Sequence, residues 1–159
     1  MAGSYDPDGV EPAPGEPALG RKVTKLTPDM LSFDGPIQEI SITDESGEPL
    51  QAGDHARRFF EAAWMHKYNG LYYLSYSTGD THFIAYATSE NPTGPFEFQG
   101  YVLKPVLGWT NHHSIVEFDG KWYIFYHDST LSGGVSHKRN VKVAELFYND
   151  DGTIQTIEP

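Results

Sequence analysis

Ala63-Trp-Met-His-Lys-Tyr-Asn-Gly-Leu-Tyr-Tyr-Leu-Ser-Tyr76 and His113-Ser-Ile-Val-Glu-Phe-Asp-Gly-Lys-Trp-Tyr-Ile-Phe-Tyr126 align without gaps, turn on turn, 50 residues apart. Asn69-Gly70 and Asp119-Gly120 are two-residue turns of the kind that right-twisted hairpins favour. Each hairpin is followed by a polar loop and a further strand, Phe83 to Ala87 and then Asn140 to Leu146. A turn and a last strand follow in each, Phe96 to Val102 and Thr153 to Ile157. The repeat is therefore a four-stranded antiparallel unit of propeller-blade length. Its central strands, Leu71-Tyr72-Tyr73-Leu74 and Trp122-Tyr123-Ile124-Phe125-Tyr126, are apolar or aromatic at every position. A sandwich strand alternates buried and wet residues. A strand with two apolar faces must be covered on both, as in a blade between two neighbouring blades.

Upstream, Lys22 to Leu26, the turn Thr27-Pro28-Asp29, and Leu31 to Ile42 read as strands three and four of an earlier unit. The expected fold is all-β: a partial five-bladed β-propeller of about two and a half blades of four-stranded antiparallel sheets. It comprises a half blade over 21–45, a full blade over 61–104 and a full blade over 110–159. Residues 1–20, with four prolines and four glycines, read as an N-terminal loop.

Apolar residues make up 38% and aromatics 14% of the 159 residues, enough for a packed core and too many for a disordered chain. The formal charge of −11 leaves no basic surface for a phosphate backbone, so nucleic acid is excluded as a partner, and a neutral substrate fits better. No apolar run approaches membrane length. Met1 to Gly20 lacks the apolar core of a signal peptide, which favours the cytoplasm for this chain as it stands. Without cysteine, disulfides, thiolate metal sites and a Cys nucleophile are ruled out.

Three segments carry residues suited to chemistry. Glu61 stands in Arg57-Arg-Phe-Phe-Glu-Ala-Ala-Trp64 among apolar neighbours. Such surroundings favour the protonated form of a carboxyl, which suits a general acid. The bland alternative is a surface Glu paired with Arg57 or Arg58. Trp109-Thr-Asn-His-His-Ser114 offers His112 and His113 as metal ligands, as donors to a sugar, or as buried structural histidines. Neighbours on a strand face opposite ways, so the two should not ligate one ion. Ser136-His-Lys-Arg-Asn140 ends the loop after the second hairpin. There Arg139 could hold sugar hydroxyls, or simply be solvated.

Phe60-Glu-Ala-Ala-Trp64, Asn91-Pro-Thr-Gly-Pro-Phe96, Val106-Leu-Gly-Trp-Thr-Asn-His-His-Ser-Ile115, Trp122-Tyr-Ile-Phe-Tyr-His-Asp-Ser129 and Ser136-His-Lys-Arg-Asn-Val-Lys-Val143 together resemble family 43 glycoside hydrolases, five-bladed propeller enzymes that include β-xylosidases and α-L-arabinofuranosidases. The resemblance covers nearly the whole chain. It implies a glycosidase that cleaves O-glycosyl bonds of plant hemicellulose with inversion, acting on xylo- or arabino-oligosaccharides. Within it Glu61 matches the general acid and Arg139 a sugar contact in the cleavage subsite. His112 matches a histidine in the central channel near a calcium ion or a water cluster. His113 takes the same part if the register shifts by one. Trp64 and Trp109 are candidate aromatic platforms for a sugar.

The family's Asp base and its acid-tuning Asp lie in blades that this chain does not contain. Tyr5-Asp6-Pro7 is superficially similar to the base motif, but it leads into a Pro/Gly-rich loop instead of an aromatic hairpin. The resemblance therefore implies a half-site, inactive alone, that associates with a second copy, which brings no aspartate, or with an N-terminal half-propeller, which restores hydrolysis. The rival readings are a non-catalytic carbohydrate-binding module and a structural fragment with exposed blade edges.

Overall fold

The computed structural model describes residues 12–109 and 111–159. Asp6 lies outside them. Among the described residues there are ten strands, two single turns of 3₁₀-helix and no α-helix.

The first hairpin is β4 (Glu61–Tyr68) and β5 (Leu71–Ser77), followed by β6 (Ile84–Ser89) and β7 (Phe96–Leu103). They pair in order, each antiparallel to the next. The second hairpin is β8 (His113–Phe118) and β9 (Lys121–Asp128), followed by β10 (Asn140–Leu146). Both hairpin turns carry positive φ at both central residues: Asn69 46° and Gly70 90°, Asp119 53° and Gly120 72°. That is the turn whose twist matches the flanking strands. Ahead of them, β1 (Arg21–Val23) pairs antiparallel with β2 (Gln38–Ile40), forming the outer part of the half blade.

Two details depart from the four-stranded expectation. A short strand, β3 (Ile42–Thr43), adds to β7 in parallel, so the middle sheet has five strands. The last sheet has three. Its expected fourth strand, Thr153 to Ile157, is reduced to isolated bridges, Tyr148 with Ile154 and Leu103 with Ile157. After the turn at Asp151-Gly152, the chain leaves its own sheet and bonds to the edge of the preceding blade, through Ile157 N–H to Val102 O and Lys104 N–H to Ile157 O.

Strand β5 shows why the sheets stack side by side. Leu74 and Tyr76 face a core shared with the half blade, where Ile40, Phe59, Ala85, Ala87 and Phe96 meet. Tyr73 faces the other way, into a core shared with the last blade, where Ile84, Tyr86, Ile115, Ile124, Tyr126 and Leu146 meet. Each fully buried aromatic contributes about 1.5–3 kcal/mol, so both faces of this blade stabilise the stack. Trp122, Ile124 and Tyr126 of β9 point into the shared core. Its opposite face is bare: Phe125 is 41%, Val143 57% and Val141 78% exposed. The expectation that both faces of this strand are covered thus holds on one side within the described residues.

Candidate active site

Glu61 begins β4, opposite Ser77. The pairing then slips, with Trp64 opposite Ser75, and Ala62 sits at φ 60° inside the bulge. A bulge re-aims the side chains beside it. A left-handed alanine is a strained conformation of the kind found at functional sites. Phe60, just before Glu61, lies on Gly79, whose missing Cβ leaves room for the ring. The Glu61 side chain is 19% exposed and lies 3.4 Å, Oε1 to Nε2, from His112. Of the two arginines in the bland alternative, Arg57 turns elsewhere, donating from Nε to Asp54 Oδ2 at 2.7 Å and facing Glu45.

What brings His112 to Glu61 is the seam between the two blades. Trp64 Nε1–H of β4 donates to the Ile115 carbonyl of β8 at 2.9 Å. Ser75 Oγ of β5 lies 2.6 Å from His113 Nε2. Adjacent strand residues alternate in direction, so with His113 turned inwards, His112 is turned out toward Glu61. Trp64 and His113, both candidate sugar contacts, are bonded across the seam. Burial, together with the charges of His112 and His66, pushes the His113 imidazole down to about 3, which keeps it neutral.

His112 leads on to Arg139. The His112 main-chain N–H donates to His127 Nε2 at 3.1 Å, and Arg139 Nη1 lies 3.5 Å from that same nitrogen. Arg139 is further held by its Nε–H to Ser136 O at 2.9 Å, and it is exposed. The loop carrying it is stapled at its base by Asp128, where Lys142 Nζ approaches to 2.7 Å. Burial works against an ionised Asp128, but the bonds from Lys142 and Thr130 outweigh it and hold the carboxyl below the usual range. Glu61, His112, His127 and Arg139 thus form a continuous row at one end of the seam. Trp109, 56% exposed, stands edge-on to His82 at 5.3 Å. His127 follows the aromatic run of the second hairpin. It belongs to β9, opposite Val141, because the ladder runs two residues past the aromatic run.

Among the described residues no group of three or more His, Asp or Glu side chains is placed to hold a metal ion. Calcium takes six to eight oxygen ligands, and the row offers one carboxylate among imidazoles. The residues present do not fit a directly bound calcium ion.

The family model for glycosyl hydrolases family 43 matches residues 12–154. The chain belongs to this family. It is 57% identical over 159 residues to a xylosidase/arabinosidase 43A of Humicola insolens, covering 99% of this chain and 47% of that protein. A family 43 β-xylosidase/α-arabinofuranosidase from a compost microbial metagenome, solved with xylotriose in a calcium-free form, is 66% identical with a TM-score of 0.89, over 91% of this chain and 44% of that one. A family enzyme of Xanthomonas citri complexed with xylotriose is 55% identical with a TM-score of 0.93, over 98% and 47%. The chain thus spans about half the length of the family 43 relatives it matches.

Proposed function

We propose that this family 43 chain is the acid-bearing half of a hemicellulose glycosidase that removes xylose or arabinofuranose units. Glu61 is the general acid that protonates the leaving oxygen. Arg139 and Trp109 contact the sugar. The base, which activates water across the ring about 6.5–9.5 Å from the acid carboxyl in an inverting enzyme, comes from an N-terminal half-propeller that seats on the bare blade faces. The observation that supports this most is the placement of Glu61. It is a mostly covered carboxylate, aimed by a bulge, next to His112 and in one row with an exposed arginine.

In the reaction, Glu61 gives its proton to the glycosidic oxygen as the bond breaks, and water adds to the opposite face of the ring. The imidazole of His112 keeps one carboxylate oxygen in place.

The test is turnover of aryl xyloside and aryl arabinofuranoside by the chain alone and after addition of an N-terminal half carrying the family's aspartates. The chain alone should be inactive and the mixture active, with Glu61→Gln lowering turnover by about 10²–10⁴-fold. Glycosidase-like turnover by the chain alone refutes the half-site reading. Full activity of Glu61→Gln in the mixture removes Glu61 as the acid. Sugar binding without turnover in either case makes the protein a carbohydrate-binding module.

A further inference from the structure

We propose that His127 is a positioning residue that sets both ends of the row from Glu61 to Arg139 through one ring nitrogen. The proposal rests on the reading of Glu61 and Arg139 as the groups that meet the sugar.

Three bonds converge on His127. Its main-chain N–H donates to Asn111 Oδ1 at 3.3 Å, and Asn111 is fully buried. Its Nε2 receives the His112 main-chain N–H at 3.1 Å. Arg139 Nη1 approaches the same atom at 3.5 Å, the outer limit of a hydrogen bond. A peptide N–H and a guanidinium are both obligatory donors. Nε2 must therefore be the acceptor, and the ring proton sits on Nδ1. The other ring nitrogen settles which tautomer a histidine holds, and here two donors force the form that free histidine populates less.

The mechanical consequence follows from the elements involved. His112 lies in the segment entering β8, and Arg139 ends the loop before β10. Neither is held by a ladder bond of its own strand. Strand β9 runs between them, and His127 is the residue on it that both reach. Fixing the His112 amide fixes where its imidazole stands relative to Glu61. Bracing the guanidinium, together with Ser136 O, fixes the other end of the row. A displacement of about 1 Å in such a site costs on the order of 10²-fold in rate.

The experiment uses the chain with ¹⁵N-labelled histidine at pH 8, where imidazoles are neutral. Long-range ¹⁵N–¹H correlation should show His127 as the Nδ1–H tautomer. The His112 amide should exchange slowly in wild type and in His127→Gln, whose amide oxygen can accept in the same place. Exchange should speed up about tenfold or more in His127→Leu, with urea unfolding run alongside. An Nε2–H tautomer overturns the proposal, as does unchanged His112 exchange in a folded His127→Leu. If the leucine variant does not fold, the wild-type tautomer decides.

With the N-terminal half added, His127→Leu should lower kcat and raise KM, and His127→Gln should restore most of both. Equal losses in both variants overturn the bracing of the site. If Glu61→Gln leaves turnover intact, the reading of Glu61 as the acid fails while the tautomer result stands by itself.

Discussion

The middle and last blades begin with the same hairpin and end in different environments. Tyr73 in the middle blade is 1% exposed, stacks with His66 and Tyr86, and donates its hydroxyl to Gly152 O at 2.7 Å. The aligned residue 50 positions later is Tyr123, half-buried on a face where Phe125, Val141 and Val143 are exposed. The local patterns are alike. What differs is whether a neighbouring sheet lies against them. Burial here belongs to the stack, and the hairpin supplies only the capacity for it.

The sharpest way to break this comparison is to truncate the aligned pair. Tyr73→Ala should cost about 3–5 kcal/mol, read by urea unfolding. Tyr123→Ala should cost about 1 kcal/mol or less. Equal losses would mean that the last blade's second face is covered in solution.

Acid should act on the seam and spare the bare face. Burial pushes His66 down to about 4 and His113 down to about 3, whereas an unfolded histidine titrates near 6.5. The unfolded chain therefore binds protons that the folded one refuses. Each histidine removes about 1.4 kcal/mol of stability per pH unit as pH falls from about 6.5 toward its folded value. His66 is packed between Tyr73 and Trp122, with Nε2 2.7 Å from the Tyr148 hydroxyl. His66→Gln should flatten the stability profile between pH 6.5 and 4 by about one histidine's slope, although its stability at pH 7 is lower. An unchanged slope would show that His66 is not held neutral.

The loops that follow β5 and β9 allow a finer comparison. Gly79, at φ 78°, would place a Cβ 2.6 Å from the Phe60 ring, whereas Gly133, at φ 69°, has open space around it. Gly79→Ala should cost about 1–3 kcal/mol more than Gly133→Ala, because only the first adds a clash to the backbone strain. It should also shift Phe60 and, through it, Glu61. The smallest effect is expected on the bare face. Val141→Lys should change the stability of the isolated chain by no more than about 0.5 kcal/mol, while weakening association with an N-terminal half in sedimentation experiments.

The candidate residues could be picked out because they sit at the ends, away from the turns, of hairpins that the sequence marks plainly. Glu61 begins the first hairpin, and His112 precedes the second. The Ala62 bulge was not legible, since no glycine announces its positive φ. Nor was the part played by His127, which reads as a loop residue until the β9–β10 ladder is seen to extend to Asp128. Trp64 and His113 are residue types that suit a sugar site equally well. Their inward direction follows from the bonds to Ile115 O and Ser75 Oγ, which join strands from different blades.

The sequence by itself determined the hairpins, the repeat of the blade and the class of fold, because period, turn chemistry and two-sided apolar strands are local properties that side chains carry with them. The tertiary structure alone decided which face of each blade is buried and which histidine faces Glu61. It also decided that the chain's last segment leaves its own sheet to bond to the blade before it. Those outcomes depend on bonds between segments about 15 to 55 residues apart, such as Glu61 with His112, His112 with His127, and Val102 with Ile157. No residue's own propensity encodes such a bond, since it forms only once the stacked sheets hold both partners at contact distance.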